Sequence, residues 1–109
     1  MNAVVLITTP TRNEAESLTE RLLKQRLAAC INLLPSTSHY WWKDKIEKTE
    51  ETLMIVKTQP RLINKIVKLV QKHHTYKIPE IIALPIIQGN PKYLEWINET
   101  VKPGGKKNV

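Results

Sequence analysis

The chain has 109 residues, 41% of them hydrophobic and 25% charged, which is typical of one globular domain and excludes a two-lobed enzyme or a disordered chain. Its formal net charge of +7 permits attraction to nucleic acid, acidic lipid or anionic ligands, but does not indicate which of them.

The first half of the chain predicts a strand, a helix and a second strand. Residues 3–8 form a β-branched apolar run that is typical of a buried strand. Asn13, with an acidic residue three positions later, is expected to cap a helix with an apolar stripe. A further apolar run at 27–34 ends at Pro35, which favours a second strand.

The second half predicts a hairpin, a helix, a strand and a last helix. Residues 36–42 and 46–58 indicate two hairpin strands joined by a charged turn near Asp44. A helix is expected to begin at Gln59-Pro60 and to end by His74 or Thr75. The final strand is predicted at 81–87, and Gly89-Asn90-Pro91 supplies the turn and cap of a short helix.

This order of elements predicts an α+β fold, namely a ferredoxin-like βαββαβ sandwich with an extra C-terminal helix. We assign residues 1–102 to one domain and 103–109 to a flexible basic tail. The single cysteine excludes an internal disulfide and favours a reducing compartment, so we expect a cytoplasmic protein. The N-terminal run lacks the features of a signal peptide, and no stretch approaches the roughly 20 apolar residues of a membrane span, so no membrane partner is expected.

No pattern in the sequence predicts catalysis. Cys30 follows two alanines in an apolar run and is expected to be a small buried side chain rather than a reactive thiolate. The three glycines form no phosphate-binding loop, so no organic cofactor is expected. Acidic residues at 47, 50 and 51 alternate with lysines and favour a solvated strand edge over an acid–base pair. We therefore expect a protein that is not an enzyme.

Two adjacent histidines, His73 and His74, are the candidate metal ligands. Adjacent helical positions point about 100° apart, so both rings reach one ion only where the helix has unwound. A third ligand would be Cys30, Glu80 or a side chain from a neighbouring subunit. The alternative is that both imidazoles complete a helix C-terminus and interact with its dipole.

Tyr40, Trp41 and Trp42 form an aromatic cluster in the predicted hairpin. A ribonucleoprotein-type platform for bases would need a Lys/Arg-Gly-aromatic segment, which the chain lacks, so no nucleic-acid partner is expected. Aromatic residues at a hairpin favour a subunit contact instead.

Five stretches together resemble the CutA family of divalent-cation tolerance proteins. They are LAACINLLP at 27–35, SHYWWKDKIE at 38–47, ETLMIVKT at 51–58, HTYKIPEIIALPI at 74–86 and GNPKYLEWI at 89–97. The resemblance covers nearly the whole chain in the same order. It implies a ferredoxin-like subunit that assembles as a homotrimer through its edge strands and its long hairpin.

The resemblance also implies a copper site formed by a cysteine at the end of the first strand and two adjacent histidines. The histidines correspond to His73 and His74, whereas the cysteine position is occupied by Ile7. Asp44 stands where the family's hairpin usually has glycine. Further matching positions imply a small intersubunit pocket, lined by Tyr40, Trp42, Lys57, Tyr76, Pro79 and Glu80.

Two functional hypotheses follow from the residues and the resemblance. The first is a cytoplasmic homotrimer that responds to metal ions by binding Cu²⁺ or another divalent cation through His73 and His74. The second is a PII-like module, similar to the trimeric nitrogen-regulatory proteins, that binds an anionic small molecule or a protein segment in its intersubunit clefts. Lys57 would supply positive charge to that cleft.

Overall fold

The computed structural model describes residues 1–102 and shows a mixed α+β sandwich, which confirms the predicted fold class. The proposed tail, 103–109, lies outside the described residues. The elements in chain order are β1 (Asn2–Thr9), α1 (Arg12–Lys24), β2 (Cys30–Trp42), β3 (Lys45–Thr58), α2 (Ile63–His73), β4 (Ile81–Ile86) and α3 (Pro91–Val101), with a single 3₁₀ turn (Pro60–Leu62) before α2.

The four strands form one antiparallel sheet in the order β2-β3-β1-β4, so β2 and β4 are its edges. Val5 of β1 lies between Val56 of β3 and Ala83 of β4. Because strand side chains alternate between the two faces, this register assigns every residue of the sheet to one face.

One face of the sheet packs against α1 and α2 and forms the core. Val5, Ile7, Met54 and Val56 point to this face and are fully buried. The helices complete the core with apolar stripes that recur every three or four residues, as the sequence predicts. Their buried members are Ala15, Leu18, Leu22, Leu62, Ile66 and Val70.

The opposite face of the sheet, called here the open face, is apolar as well. Its central apolar residues are half-buried, and most of those on the edge strands are exposed, with Ile82 52% and Leu84 49% accessible. α3 reaches this face at the end of β1, where the side-chain amide of Asn2 donates to the Leu94 carbonyl over 3.0 Å. The apolar residues of the open face are Val4, Leu6, Leu34, Leu53, Ile55, Ile82, Leu84 and Ile86, and the register also places Asn32 and Lys57 on it.

The second strand differs from the prediction at both ends. It begins at Cys30 rather than at residue 27, and it continues through Pro35 to Trp42 as one long strand. Pro35 is tolerated because β2 is an edge strand, where a missing backbone N–H can face away from the sheet. Leu27 is buried beneath the helices in the loop before β2.

The predicted helix starts are only partly right. Thr11, not Asn13, caps α1, since its hydroxyl accepts a hydrogen bond from the Glu14 N–H over 3.1 Å. Pro60 opens a 3₁₀ turn that precedes α2 instead of the α-helix itself. Asn90 caps α3 as predicted, with its side chain accepting from the Lys92 N–H.

The hairpin turn has two residues in the left-handed region, Lys43 with φ 49° and Asp44 with φ 63°. This is the geometry of a two-residue turn that follows the right-handed twist of its strands. Aspartate tolerates the left-handed region better than most residues, so it can replace the glycine implied by the family resemblance. The turn places Trp42 opposite Lys45. The outer part of this hairpin, residues 38–49, is called here the hairpin arm.

Candidate functional site

A groove of about 660 Å³ runs beside the hairpin. One wall is the outer half of the hairpin, and the other is the loop between α2 and β4. Its lining residues are Ser38, His39, Tyr40, Trp42, Glu51, Tyr76, Lys77, Ile78 and Glu80. We call it the aromatic groove.

The structure brings four of the predicted pocket residues to this groove: Tyr40, Trp42, Tyr76 and Glu80. Lys57 does not line it, and neither does Pro79. Lys57 lies six residues along β3 from Glu51, or about 20 Å at the rise of an extended strand, and pairs with Cys30 instead. Lys57 therefore lies outside this groove, on the open face beside Val4. Its place in a pocket between subunits stays a prediction, as does a subunit contact at the groove.

Glu51 is the central polar residue of the aromatic groove. One carboxylate oxygen accepts from the Ser38 hydroxyl over 2.6 Å, and the other accepts from the Tyr76 hydroxyl over 2.9 Å. The Tyr76 bond joins the loop after α2 to the hairpin, while Tyr40 exchanges a 2.8 Å hydrogen bond with Thr49 across the hairpin. The groove therefore has walls that are fixed by hydrogen bonds between side chains.

The phenol of Tyr76 stays protonated to high pH. Burial raises its pKa to about 12, and the carboxylate of Glu51, which accepts its proton, adds to the shift. Because the folded-state pKa lies above the unfolded value, this bond stabilises the protein fully below about pH 10 and is lost as the pH rises through about 12.

We predict that an absorbance titration at about 295 nm, which follows the formation of tyrosinate, will show that the Tyr76 phenol ionises only at high pH. The wild type should contain one phenol that ionises near pH 12, and the Tyr76→Phe variant should lack it. A Tyr40→Phe variant is the control and should keep the late step. A late step of unchanged size in Tyr76→Phe would show that the groove hydrogen bond is not formed in solution.

His74 is a structural residue in this fold. Its side chain is fully buried, and its Nε2 lies 2.7 Å from the Thr8 carbonyl oxygen, which requires Nε2 to donate. Its Nδ1 accepts from the Tyr76 N–H over 2.9 Å and lies 3.4 Å from a Glu14 oxygen. Both ring nitrogens are therefore used within the chain, and neither has a free lone pair for a metal ion.

His73 lies on the outer side of α2, apart from the aromatic groove. Partial loss of hydration lowers its pKa, and the positive charges of Arg21 and Lys72 lower it further. The ring is thus neutral at pH 7, but its basic surroundings oppose the approach of a cation. Among residues 1–102, no three His, Cys, Asp or Glu side chains form a group that could hold a metal ion.

The other suggested ligands do not complete the histidine pair. Glu80 lines the aromatic groove. The Cys30 thiol lies beside the Tyr93 hydroxyl. Burial raises the pKa of Tyr93, and the hydrogen bond with this thiol raises it further. Ile7, at the position of the family's cysteine, is a fully buried core residue. A divalent ion therefore does not fit a site made from one chain.

The sequence analysis missed two carboxylates that organise this region. Glu51 was interpreted as part of a solvated edge, but it is half-buried and accepts two hydroxyl protons. Glu14 binds the backbone N–H of Thr75 and thereby holds the loop after α2 against α1. The burial of Glu51 can be read from the alternation along β3, because Glu51 shares its face of the strand with Leu53 and Ile55. The partner of Glu14 is not indicated by any local pattern.

Comparison with known proteins gives a consistent result over almost the whole chain. A family model described as CutA1 divalent ion tolerance protein matches residues 3–100. Protein CutA of Mus musculus is 41% identical over 101 residues, which cover 92% of this chain and 57% of the mouse protein. The divalent-cation tolerance protein CutA of Archaeoglobus fulgidus is 42% identical over 102 residues, covering 94% of this chain and 100% of its own. The chain thus spans a little over half of the mouse relative.

Solved structures agree with this match. The structure of the Archaeoglobus fulgidus protein, described as periplasmic, superposes with a TM-score of 0.91 at 42% identity and covers 94% of this chain and 100% of that one. CutA1 from Oryza sativa superposes with a TM-score of 0.88 at 39% identity, covering 91% of this chain and 92% of its own. Within residues 1–102, no helix is long and apolar enough to cross a bilayer.

Proposed function

This chain belongs to the CutA1 divalent ion tolerance protein family, and from that membership we propose that it acts in divalent-cation tolerance as a homotrimer. We propose a binding and assembly role rather than catalysis, since the Archaeoglobus fulgidus relative is named for divalent-cation tolerance. The cytoplasm stays our proposed location, on the ground that a single cysteine suits a reducing compartment.

The open face of the sheet is the observation that carries the assembly. A monomer that leaves this face in water exposes a contiguous apolar surface, which is rare unless a partner covers it. The exposed edge residues Ile82 and Leu84 border half-buried Val4 and Leu6, so the apolar surface is continuous. Further copies of the chain can cover it with the same apolar surface. We propose three subunits because the family resemblance implies a homotrimer.

The hairpin arm supplies a second contact in this proposal. Trp41 and Ile46 are a cross-strand pair near its tip, and they are 71% and 67% accessible in the single chain. β2 also leaves its outer backbone groups unpaired, so a strand of a neighbouring subunit can add to this edge. The aromatic groove, which the outer half of the hairpin lines, would then lie at a seam between subunits.

Binding of Cu²⁺ or another divalent cation at His73 and His74 remains a separate proposal. It requires the His74 ring to leave Thr8 and Tyr76, or a neighbouring subunit to add ligands to His73. The PII-like alternative is less well supported, because the charged residues of the aromatic groove are Glu51, Glu80 and Lys77, and Lys57 is absent from it. That set of charges does not favour an anionic ligand.

A titration with Cu²⁺ tests the metal proposal. We expect His73→Gln to weaken binding about tenfold or more if this ring is a ligand, since even an outer-shell partner of a metal site contributes that much. His39→Gln is the control, because His39 lies in the hairpin and should leave the affinity unchanged. Equal affinity in the wild type and in a His73→Gln/His74→Gln variant would remove the histidine pair from the proposal.

A further inference from the structure

The positive charge of the chain is concentrated on two segments. Residues 61–72 contain four of its 17 basic residues, residues 102–107 contain three, and neither segment contains an acidic residue. The remaining ten basic residues are balanced by the ten acidic ones. The net charge of +7 therefore comes from α2 and from the C-terminal end.

The lysines of α2 lie on one side of the helix. Lys65, Lys68 and Lys72 follow one another at spacings of three and four residues, which aligns their side chains over about 10 Å. They border a groove of about 340 Å³ at the surface of α2, which we call the helix groove. Its lining residues are Gln25, Leu27, Lys65, Lys68, Leu69, Lys72 and His73.

These three lysines have no carboxylate partner within 4.0 Å among residues 1–102. Some other cations among residues 1–102 are engaged: Lys24 pairs with Glu20, and Arg61 donates to the Val101 carbonyl. Loss of hydration lowers the pKa of His73, and the positive charges of Arg21 and Lys72 beside the helix groove lower it further.

The lining of the helix groove favours a peptide over other anions. Leu27 and Leu69 give it an apolar floor, and the lysines form a cationic rim. No aromatic side chain besides the His73 ring lines it, so bases of a single-stranded nucleic acid would lack the stacking platform they usually use. An acidic segment with an apolar side chain satisfies both the floor and the rim.

We propose that the helix groove docks an acidic segment of a partner protein, with glutamate or aspartate side chains on Lys65, Lys68 and Lys72 and an apolar side chain against Leu27 and Leu69. α1 and α2 lie on the side of the sheet opposite the open face, so copies of the chain that cover the open face leave this groove accessible. The proposal does not depend on the homotrimer or on metal binding.

Fluorescence anisotropy tests the proposal with a fluorescein-labelled ten-residue peptide of glutamates around a central leucine. A Lys65→Glu/Lys68→Glu/Lys72→Glu variant should bind this probe about tenfold more weakly or worse, because three attractive pairs become repulsive. The control, Lys43→Glu/Lys92→Glu/Lys102→Glu, changes the net charge equally at exposed sites elsewhere and should bind like the wild type. Circular dichroism should confirm that both variants are folded.

Two further probes separate a specific site from general attraction. A peptide with serine in place of the central leucine should bind more weakly than the first probe if the apolar floor takes part. A ten-nucleotide oligothymidine should bind less tightly than the glutamate peptide. Equal losses in the two triple variants, or tighter binding of oligothymidine, would overturn the proposal.

Discussion

Leu84→Glu should separate the assembly into single subunits. Leu84 lies on the open face of an edge strand and is 49% accessible in one chain, so the change is compatible with the fold of the subunit. In the assembly, each copy would bury an unpaired carboxylate among apolar side chains. An unpaired buried charge costs several kcal/mol, so each interface would be weakened by about that amount. Sedimentation velocity should therefore show a monomer at micromolar concentration.

Leu23→Glu is the matched control for this experiment. Leu23 is 39% accessible on the outer side of α1, away from the open face, and the change in chemistry is the same. This variant should keep the oligomeric state of the wild type. An intact assembly in Leu84→Glu would show that the open face is not the contact between subunits.

His74→Ala should be the most destabilising of the histidine substitutions. The change empties a buried position and leaves the Thr8 carbonyl and the Tyr76 N–H without their partner. We expect a loss of about 2–4 kcal/mol in the free energy of unfolding, from the cavity and the unsatisfied groups together. Denaturant unfolding at one fixed protein concentration measures it, because an oligomer's stability depends on concentration.

His73→Ala is the natural comparison, because it removes the adjacent imidazole. The His73 side chain makes no hydrogen bond with another residue of 1–102, so its removal should change the free energy of unfolding by less than about 0.5 kcal/mol. Equal losses in the two variants would contradict the structural role assigned to His74. The pair also shows why a metal titration is better interpreted with His73 variants than with His74 variants.

The sequence predicts the fold well because its signals are local. The apolar stripe of α2, the Asn90 cap and the apolar run of β1 each depend on residues that lie close together in the sequence. Pro35 was misinterpreted because a proline ends a central strand but is tolerated on an edge strand. The edge position of β2 is a property of the whole sheet, which local patterns do not contain.

The candidate site was predictable only in part. Tyr40, Trp42, Tyr76 and Glu80 meet as expected, since the resemblance to the family already grouped them. His73 and His74 look equivalent in the sequence. The His74 ring is buried and hydrogen-bonded, however, whereas His73 lies beside the basic side chains of Arg21 and Lys72. The distinction depends on the Thr8 carbonyl, which is 66 residues away along the chain.

The native mass of the wild-type protein tests the central claim that the apolar sheet face is covered by further copies of the chain. Sedimentation equilibrium at micromolar concentration should give about three times the subunit mass of 12.6 kDa. A single species of 12.6 kDa would contradict the claim, and with it the assignment of the aromatic groove to a seam between subunits.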